Sequence, residues 1–86
     1  MAKGRAARLR EELRGVIERQ MAQNDPPEVA PAFARLRAAG ISERQVWAML
    51  SAVMLIEMNA MARDGRQFDR ARYAAGLAAL PELTEW

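Results

Sequence analysis

The 86-residue chain contains neither cysteine nor histidine. Without cysteine it forms no disulfide and offers no thiolate as a nucleophile or metal ligand. Without histidine it lacks the side chain most used for proton transfer near neutral pH and for binding transition metals. We therefore predict no metal site and no cofactor. The same absences weigh against an enzyme without excluding one, because a carboxylate beside an arginine can still transfer protons or hold an anionic ligand.

Aromatic residues make up only 6% of the chain and β-branched residues are few, so β-strands are disfavoured. Hydrophobic residues reach 51%, but many are alanines, which favour helix and bury little area. A chain of this length folds as one domain, residues 1–86, with a modest core. Self-association could supplement that core.

Long apolar runs are also missing. The longest, Val46 to Ile56, is far short of the roughly 20 residues of a membrane span, and the basic start leads into no apolar segment. We therefore expect a cytoplasmic protein that does not contact a membrane. The net charge is only +2, although basic residues crowd the beginning of the chain. A solvated helix end explains these basic residues more simply than a nucleic-acid arm does. They are Lys3, Arg5, Arg8, Arg10 and Arg14.

Helical periodicity and turn residues predict four helices, at about 5–22, 26–39, 43–64 and 70–80. Capping patterns mark three of the helix starts: Asp25-Pro26-Pro27-Glu28, Ser42 with Gln45, and Asp69. Gly40 and Gly65 suit the left-handed position that ends a helix. The sequence therefore predicts an all-α fold, a compact bundle of about four helices with a long, apolar third helix.

The third helix is apolar almost all the way round, and three short helices are too few to cover it. One interpretation is a central bundle helix with a methionine-filled core. Another is a homodimer through one of its stripes, and the third is a methionine-rich groove for a foreign peptide or apolar ligand. The interface candidates lie on one stripe: Trp47, Met54, Met58 and Met61.

Glu57 lies within the other apolar stripe of the third helix. A buried carboxylate must be paired, hydrogen-bonded or protonated, because an unpaired buried charge is very costly. Arg10, Arg14 and Glu18 form one line along the first helix at intervals of four residues. We expect Arg14, before Arg10, to pair with Glu57. In the alternative interpretation Glu57, Glu18, Arg14 and Tyr73 line a ligand-binding or catalytic pocket.

Several short motifs resemble a family of small, uncharacterised bacterial helical proteins, a domain of unknown function. Its members read E-N-Q, D-P-P-E-V, R-L, a glycine followed by R-H-E-A-I-H-A-I, and then a glutamate. The similarity covers about residues 9 to 80, and the D-P-P-E-V stretch is the most specific part. The matching segments here are Glu18-Arg19-Gln20, Asn24 to Val29, Arg35-Leu36, Gly40 and Glu57.

The histidines and two glutamates of that family resemble a metal or acid–base site. In this chain both glutamates are retained, as Glu18 and Glu57. The four histidine positions hold other residues, namely Arg10, Arg14, Arg44 and Ala48. Guanidinium groups have no lone pair to offer and repel cations, so the resemblance implies a fold kept after a metal site has been lost.

Taken together, the residues favour a small non-catalytic helical protein that self-associates, as a dimer, and serves as a partner-binding or regulatory module. One alternative is an enzyme or small-molecule or anion-binding protein with a Glu/Arg pocket. Another is weak, non-specific nucleic-acid binding through the basic first helix, which we do not favour because no aromatic residues are interleaved with the arginines.

Overall fold

A computed structural model describes residues 2–82 and, within that range, all side chains except those of residues 2, 3 and 6. The side chain of Lys3 and the tail 83–86 therefore lie outside the described part of the chain. The described residues form four helices and no strand, which confirms the predicted all-α bundle. The helices are α1 (Ala2–Gln23), α2 (Val29–Ala38), α3 (Glu43–Asp64) and α4 (Arg70–Ala79).

Local capping chemistry sets most of the helix ends. The side-chain oxygen of Ser42 accepts a hydrogen bond from the backbone N–H of Gln45 at 3.2 Å, which starts α3. Asp69 caps α4 in the same way, accepting from the N–H of Arg72 at 3.0 Å. Gly65 ends α3 with a φ of 63°, a conformation that costs glycine least. These three signals were readable from the sequence.

The start of α2 differs from the prediction. The helix begins at Val29 rather than at Pro26, and its N-cap, Glu28, makes no side-chain capping hydrogen bond. Pro27 is the physical reason, because a proline pushes the residue before it out of the helical region. Asp25 is thereby freed from capping, and its carboxylate accepts a 2.6 Å hydrogen bond from Arg70 of α4.

A six-residue hydrogen-bonded motif ends α2. The N–H of Ile41 donates to the carbonyl of Leu36 at 3.2 Å, and the N–H of Gly40 donates to that of Arg37 at 3.0 Å. Gly40 adopts a φ of 90°, and Ile41 packs against the core. This is the Schellman arrangement, and it turns the chain directly into the cap of α3.

The core surrounds α3, which contacts each of the other three helices. α4 packs tightly against α3 at Gly76, where an added Cβ would lie only 2.9 Å from Val53 Cγ1. Gly15, in contrast, has nothing within 4 Å and marks no close approach. The largest fully buried side chains come from all four helices: Tyr73, Ile17, Leu36, Leu50, Leu77, Val29 and Val46.

The end of α4 is capped from another helix. Arg35 of α2 donates from Nη2 to the carbonyl oxygens of Leu77, at 3.0 Å, and Leu80, at 3.1 Å. The last turn of α4 contains no basic residue of its own. A guanidinium at this position satisfies carbonyls that the helix leaves open and complements the negative end of the helix dipole.

The first half of α1 lies outside the core. Leu13 is the first buried residue among the described side chains of the helix. Between Gly4 and Glu12, every described side chain is exposed except that of Ala7, which is half-buried. Leu9 is 39% exposed although it continues the apolar stripe of Leu13. α1 is therefore anchored to the bundle by its second half.

Candidate functional site

Glu57 is the buried charged residue of the core. It lies on the same face of α3 as Val46, Leu50 and Val53, and the residue is 2% exposed. The expectation that this carboxylate is buried is therefore confirmed. A charge at this depth needs a partner, and the identity of that partner decides what the site can do.

The partner of Glu57 is Arg72 of α4, whose Nε lies 2.9 Å from Glu57 Oε2. The expectation that Arg14 pairs with Glu57 is therefore wrong. Arg14 instead lies 3.5 Å from Glu18 on its own helix, in a pair whose side chains are both more than half exposed. Its guanidinium carbon also lies 4.4 Å from the ring centroid of Trp47, a cation–π contact. Arg10, the second expected partner, is exposed.

The sequence contains a signal for Arg72 that helix-wheel reasoning missed. Only five residues, 65–69, connect α3 to α4, and so short a connection makes neighbouring helices antiparallel. Residues about two turns before the end of α3 then lie beside the first turns of α4. Glu57 and Arg72 occupy those positions, whereas α1 reaches α3 only through tertiary packing that the sequence does not specify.

The ion pair is asymmetric in its exposure to water. The Glu57 side chain is 3% exposed and that of Arg72 is 36% exposed. The second carboxylate oxygen, Oε1, is buried and has no hydrogen-bond partner among the described residues. Arg72 therefore neutralises the carboxylate from the solvent side. Because Oε1 is buried, a ligand could reach it only if the packing around Glu57 opened.

Tyr73 follows Arg72 and is fully buried. Its hydroxyl donates a 2.9 Å hydrogen bond to Gln20 Oε1 of α1, and its ring packs edge-on against Phe68 at 5.3 Å. Burial raises the pKa of Tyr73 to about 12. A phenol that stays protonated is suited to fixing α4 against α1 and not to acting as a base at neutral pH.

The residues of the predicted pocket are not brought together around one cavity by the contacts of the described chain. Glu57 contacts Arg72, Tyr73 contacts Gln20, and Arg14 contacts Glu18 and Trp47. Residues 2–82 also contain no group of three or more carboxylate, histidine or cysteine side chains that could hold a metal ion. The arrangement fits an ion pair that fastens α4 to α3.

The predicted interface stripe on α3 is divided by the fold. Met54 is 5% exposed and belongs to the core, so its assignment to an interface is wrong. Trp47 is half-buried, and Phe33 of α2 packs against it edge-on at 5.3 Å. Met61 is also half-buried, and Met58 alone of the four is exposed, at 41%. At Trp47 the physical reason is that Phe33 of α2 and Arg14 of α1 pack against this side of α3.

A different face of α3 is only partly covered. Its residues are half-buried or exposed and are mostly small, and we call them the outward face: Ala48, Ser51, Ala52, Leu55, Asn59 and Ala62. Their spacing of three, four and seven residues places them on one side of the helix. By length and composition alone α3 could cross a membrane, with a mean hydropathy of 1.3 over 18 residues, 33% of them buried. Core helices of soluble proteins meet the same criterion.

The class of protein defined by these observations is a small four-helix, all-α bundle. Comparison with protein-family models, curated proteins and solved structures finds no match to this chain. The resemblance to a bacterial helical family therefore stays a prediction that rests on the quoted motifs.

Proposed function

We propose that this protein is a non-catalytic helical module that self-associates, as a dimer, through the outward face of α3. The observation that carries the proposal is the absence of charge from that face. Between Gln45 and Ala62 the only charged residue is Glu57, and it points into the core. These 18 residues span about 27 Å at 1.5 Å per residue.

The composition of the outward face suits contact with another helix. Charged residues make up 28% of the chain, so an uncharged face about four turns long, from Ala48 to Ala62, is unusual on this surface. Alanine and serine side chains allow two helix axes to approach closely, and Leu55 supplies one large apolar group. Arg44 and Arg63 lie just beyond the two ends of the strip, where an interface rim is normally polar.

The core site supports a structural role over a catalytic one. Glu57 is held by Arg72 behind packed helices, and Tyr73 retains its proton at neutral pH. The small-molecule alternative relied on Arg14 acting with Glu57, and Arg14 is engaged with Glu18 and Trp47. Nucleic-acid binding would rely on the exposed arginines at the start of α1, and no other feature supports it.

Light scattering and sedimentation velocity at tens of micromolar test the proposal. The wild-type protein should have twice the mass of its 9.6 kDa chain. The double variant Ala48→Glu/Asn59→Glu places two charges on exposed positions of the outward face and should be monomeric. Met54→Glu is unsuitable, because a charge in the core would unfold the protein instead of dissociating it.

The matched control is Ala34→Glu/Ala71→Glu, which adds two glutamates at exposed positions of α2 and α4. This variant should keep the wild-type mass, and circular dichroism should show that both double variants retain the helical fold. A wild-type mass equal to one chain would contradict the proposal, as would equal masses for the two double variants.

A further inference from the structure

An apolar groove of about 300 Å³ lies between the beginning of α2 and α4. Its walls are formed by Pro27, Pro31, Ala32, Ala74, Leu77 and Ala78. Glu28 and Arg35, seven residues apart, complete the lining with one negative and one positive charge. Arg35 is exposed, and its hydrogen bonds to α4 use only Nη2. The groove therefore has an apolar floor between two opposite charges.

The first half of α1 presents a matching pattern. Arg5, Leu9 and Glu12 follow one another at i, i+4 and i+7, which places them on one face of the helix. All three are exposed, and neither Arg5 nor Glu12 makes a hydrogen bond or ion pair with another described residue. Leu9 and Met58 are the large hydrophobic residues that the described chain exposes.

The two patterns have equal length and opposite charge order. Glu12 follows Arg5 by seven positions on α1, and Arg35 follows Glu28, the N-cap of α2, by seven positions. Each spacing corresponds to about 10 Å along a helix. We propose that the first half of α1 of one molecule docks in the α2–α4 groove of a second molecule. Leu9 then fills the apolar floor, while Arg5 faces Glu28 and Glu12 faces Arg35.

The surroundings of Glu28 are consistent with this polarity. Arg70 lies close enough to Glu28 and Asp25 for both carboxylates to raise the pKa of its guanidinium, and its hydrogen bond goes to Asp25. One arginine among two carboxylates leaves that end of the groove with a net negative charge. An incoming arginine is therefore favoured there over an incoming glutamate.

This contact joins two different surfaces, so it is distinct from the α3 contact, in which a surface would meet its own copy. A head-to-tail contact forms a ring if its rotation closes and a chain of molecules if it does not. The wild-type mass would then rise beyond a dimer with increasing concentration. The inference does not depend on the proposed α3 dimer, and it can be tested with that dimer removed.

The test uses two complementary variants in the Ala48→Glu/Asn59→Glu background. Leu9→Glu disables the α1 surface and leaves the groove intact, whereas Ala78→Glu disables the groove and leaves α1 intact. Both positions are exposed, so each chain should remain folded. Each variant alone should sediment as one chain at 100–200 µM (roughly the range in which weak interfaces are populated), and an equimolar mixture should form a 1:1 complex.

Exchanging a charge pair then tests the orientation. Adding Glu28→Arg to the groove-bearing chain should weaken the mixed complex by about fivefold, and adding Arg5→Glu to the other chain should restore it. Glu28 is chosen because Arg35 also caps α4. A mixture that contains no complex would overturn the proposal, whether or not the α3 dimer exists. So would a complex that survives in chains carrying both Leu9→Glu and Ala78→Glu, or a charge exchange that fails to restore binding.

Discussion

The unequal burial of Glu57 and Arg72 predicts that their removal has unequal effects. Replacing Arg72 with Met keeps an aliphatic side chain but strands a carboxylate that is 97% buried, since its side chain is 3% exposed. Stranding a buried charge in this way costs about 3–5 kcal/mol. Replacing Glu57 with Met leaves Arg72 36% exposed, so water can solvate the guanidinium, and the loss should be about 1 kcal/mol.

Urea unfolding followed by circular dichroism measures both effects. A domain of this size has a free energy of unfolding of about 5–15 kcal/mol, so the loss in Arg72→Met is a large fraction of the total. With a slope near 1.5 kcal/mol per molar urea, the midpoint should fall by about 2–3 M. The double variant Glu57→Met/Arg72→Met should be nearly as stable as Glu57→Met, because neither charge is then stranded.

Arg70→Met is the matched control. It lies two residues from Arg72 and breaks the Asp25 pair, whose side chains are 58% and 61% exposed, so unfolding should change little. Equal losses in Glu57→Met and Arg72→Met would refute the reasoning. A loss below about 1 kcal/mol in Arg72→Met would do the same, because it would mean that water reaches Glu57 in the folded protein.

Three further predictions concern other parts of the molecule. Gly15→Ala should stabilise the protein by about 0.5–1 kcal/mol, since the site is open and alanine favours helix. Gly76→Ala should destabilise it by about 1 kcal/mol, because the new Cβ meets Val53. Urea unfolding of both variants should show free energies of unfolding that change in opposite directions. Tyr73 is the single tyrosine, so absorbance at 295 nm reports its phenolate alone. The phenolate should form at pH about 12 in the folded protein and near pH 10 in urea. The free energy of unfolding should therefore fall as the pH rises above 10. Calorimetric titration with zinc, copper or nickel should give no saturable signal, because the chain has neither imidazole nor thiolate ligands. Stoichiometric micromolar binding would contradict this expectation.

Local signals in the sequence were sufficient for most of the fold. Ser42 and Asp69 cap helices with their own neighbours, so a few consecutive residues contain all the required information. The start of α2 was misplaced because two prolines in succession compete, and Pro27 prevents Pro26 from beginning a helix. Asp25 then takes a partner 45 residues away, which no local pattern could indicate.

The site was less predictable because its contacts depend on which helices are neighbours. A helix wheel correctly placed Glu57 on the buried face, yet it could not show that α4 and not α1 supplies the arginine. The length of the connection between α3 and α4 was the missed signal. Met54 illustrates the same limit, since periodicity identifies an apolar stripe without showing which other helix covers it.

The capping of α4 by Arg35 has a consequence for how the protein opens. A helix of 10 residues is too short to persist alone in water, and the last carbonyls of α4 are satisfied by a side chain from α2. The two helices therefore form one cooperative unit, in which backbone amides near the end of α4 should exchange with solvent at the rate at which α2 detaches. Any binding partner that draws Arg35 away would leave the carbonyl oxygens of Leu77 and Leu80 without this donor.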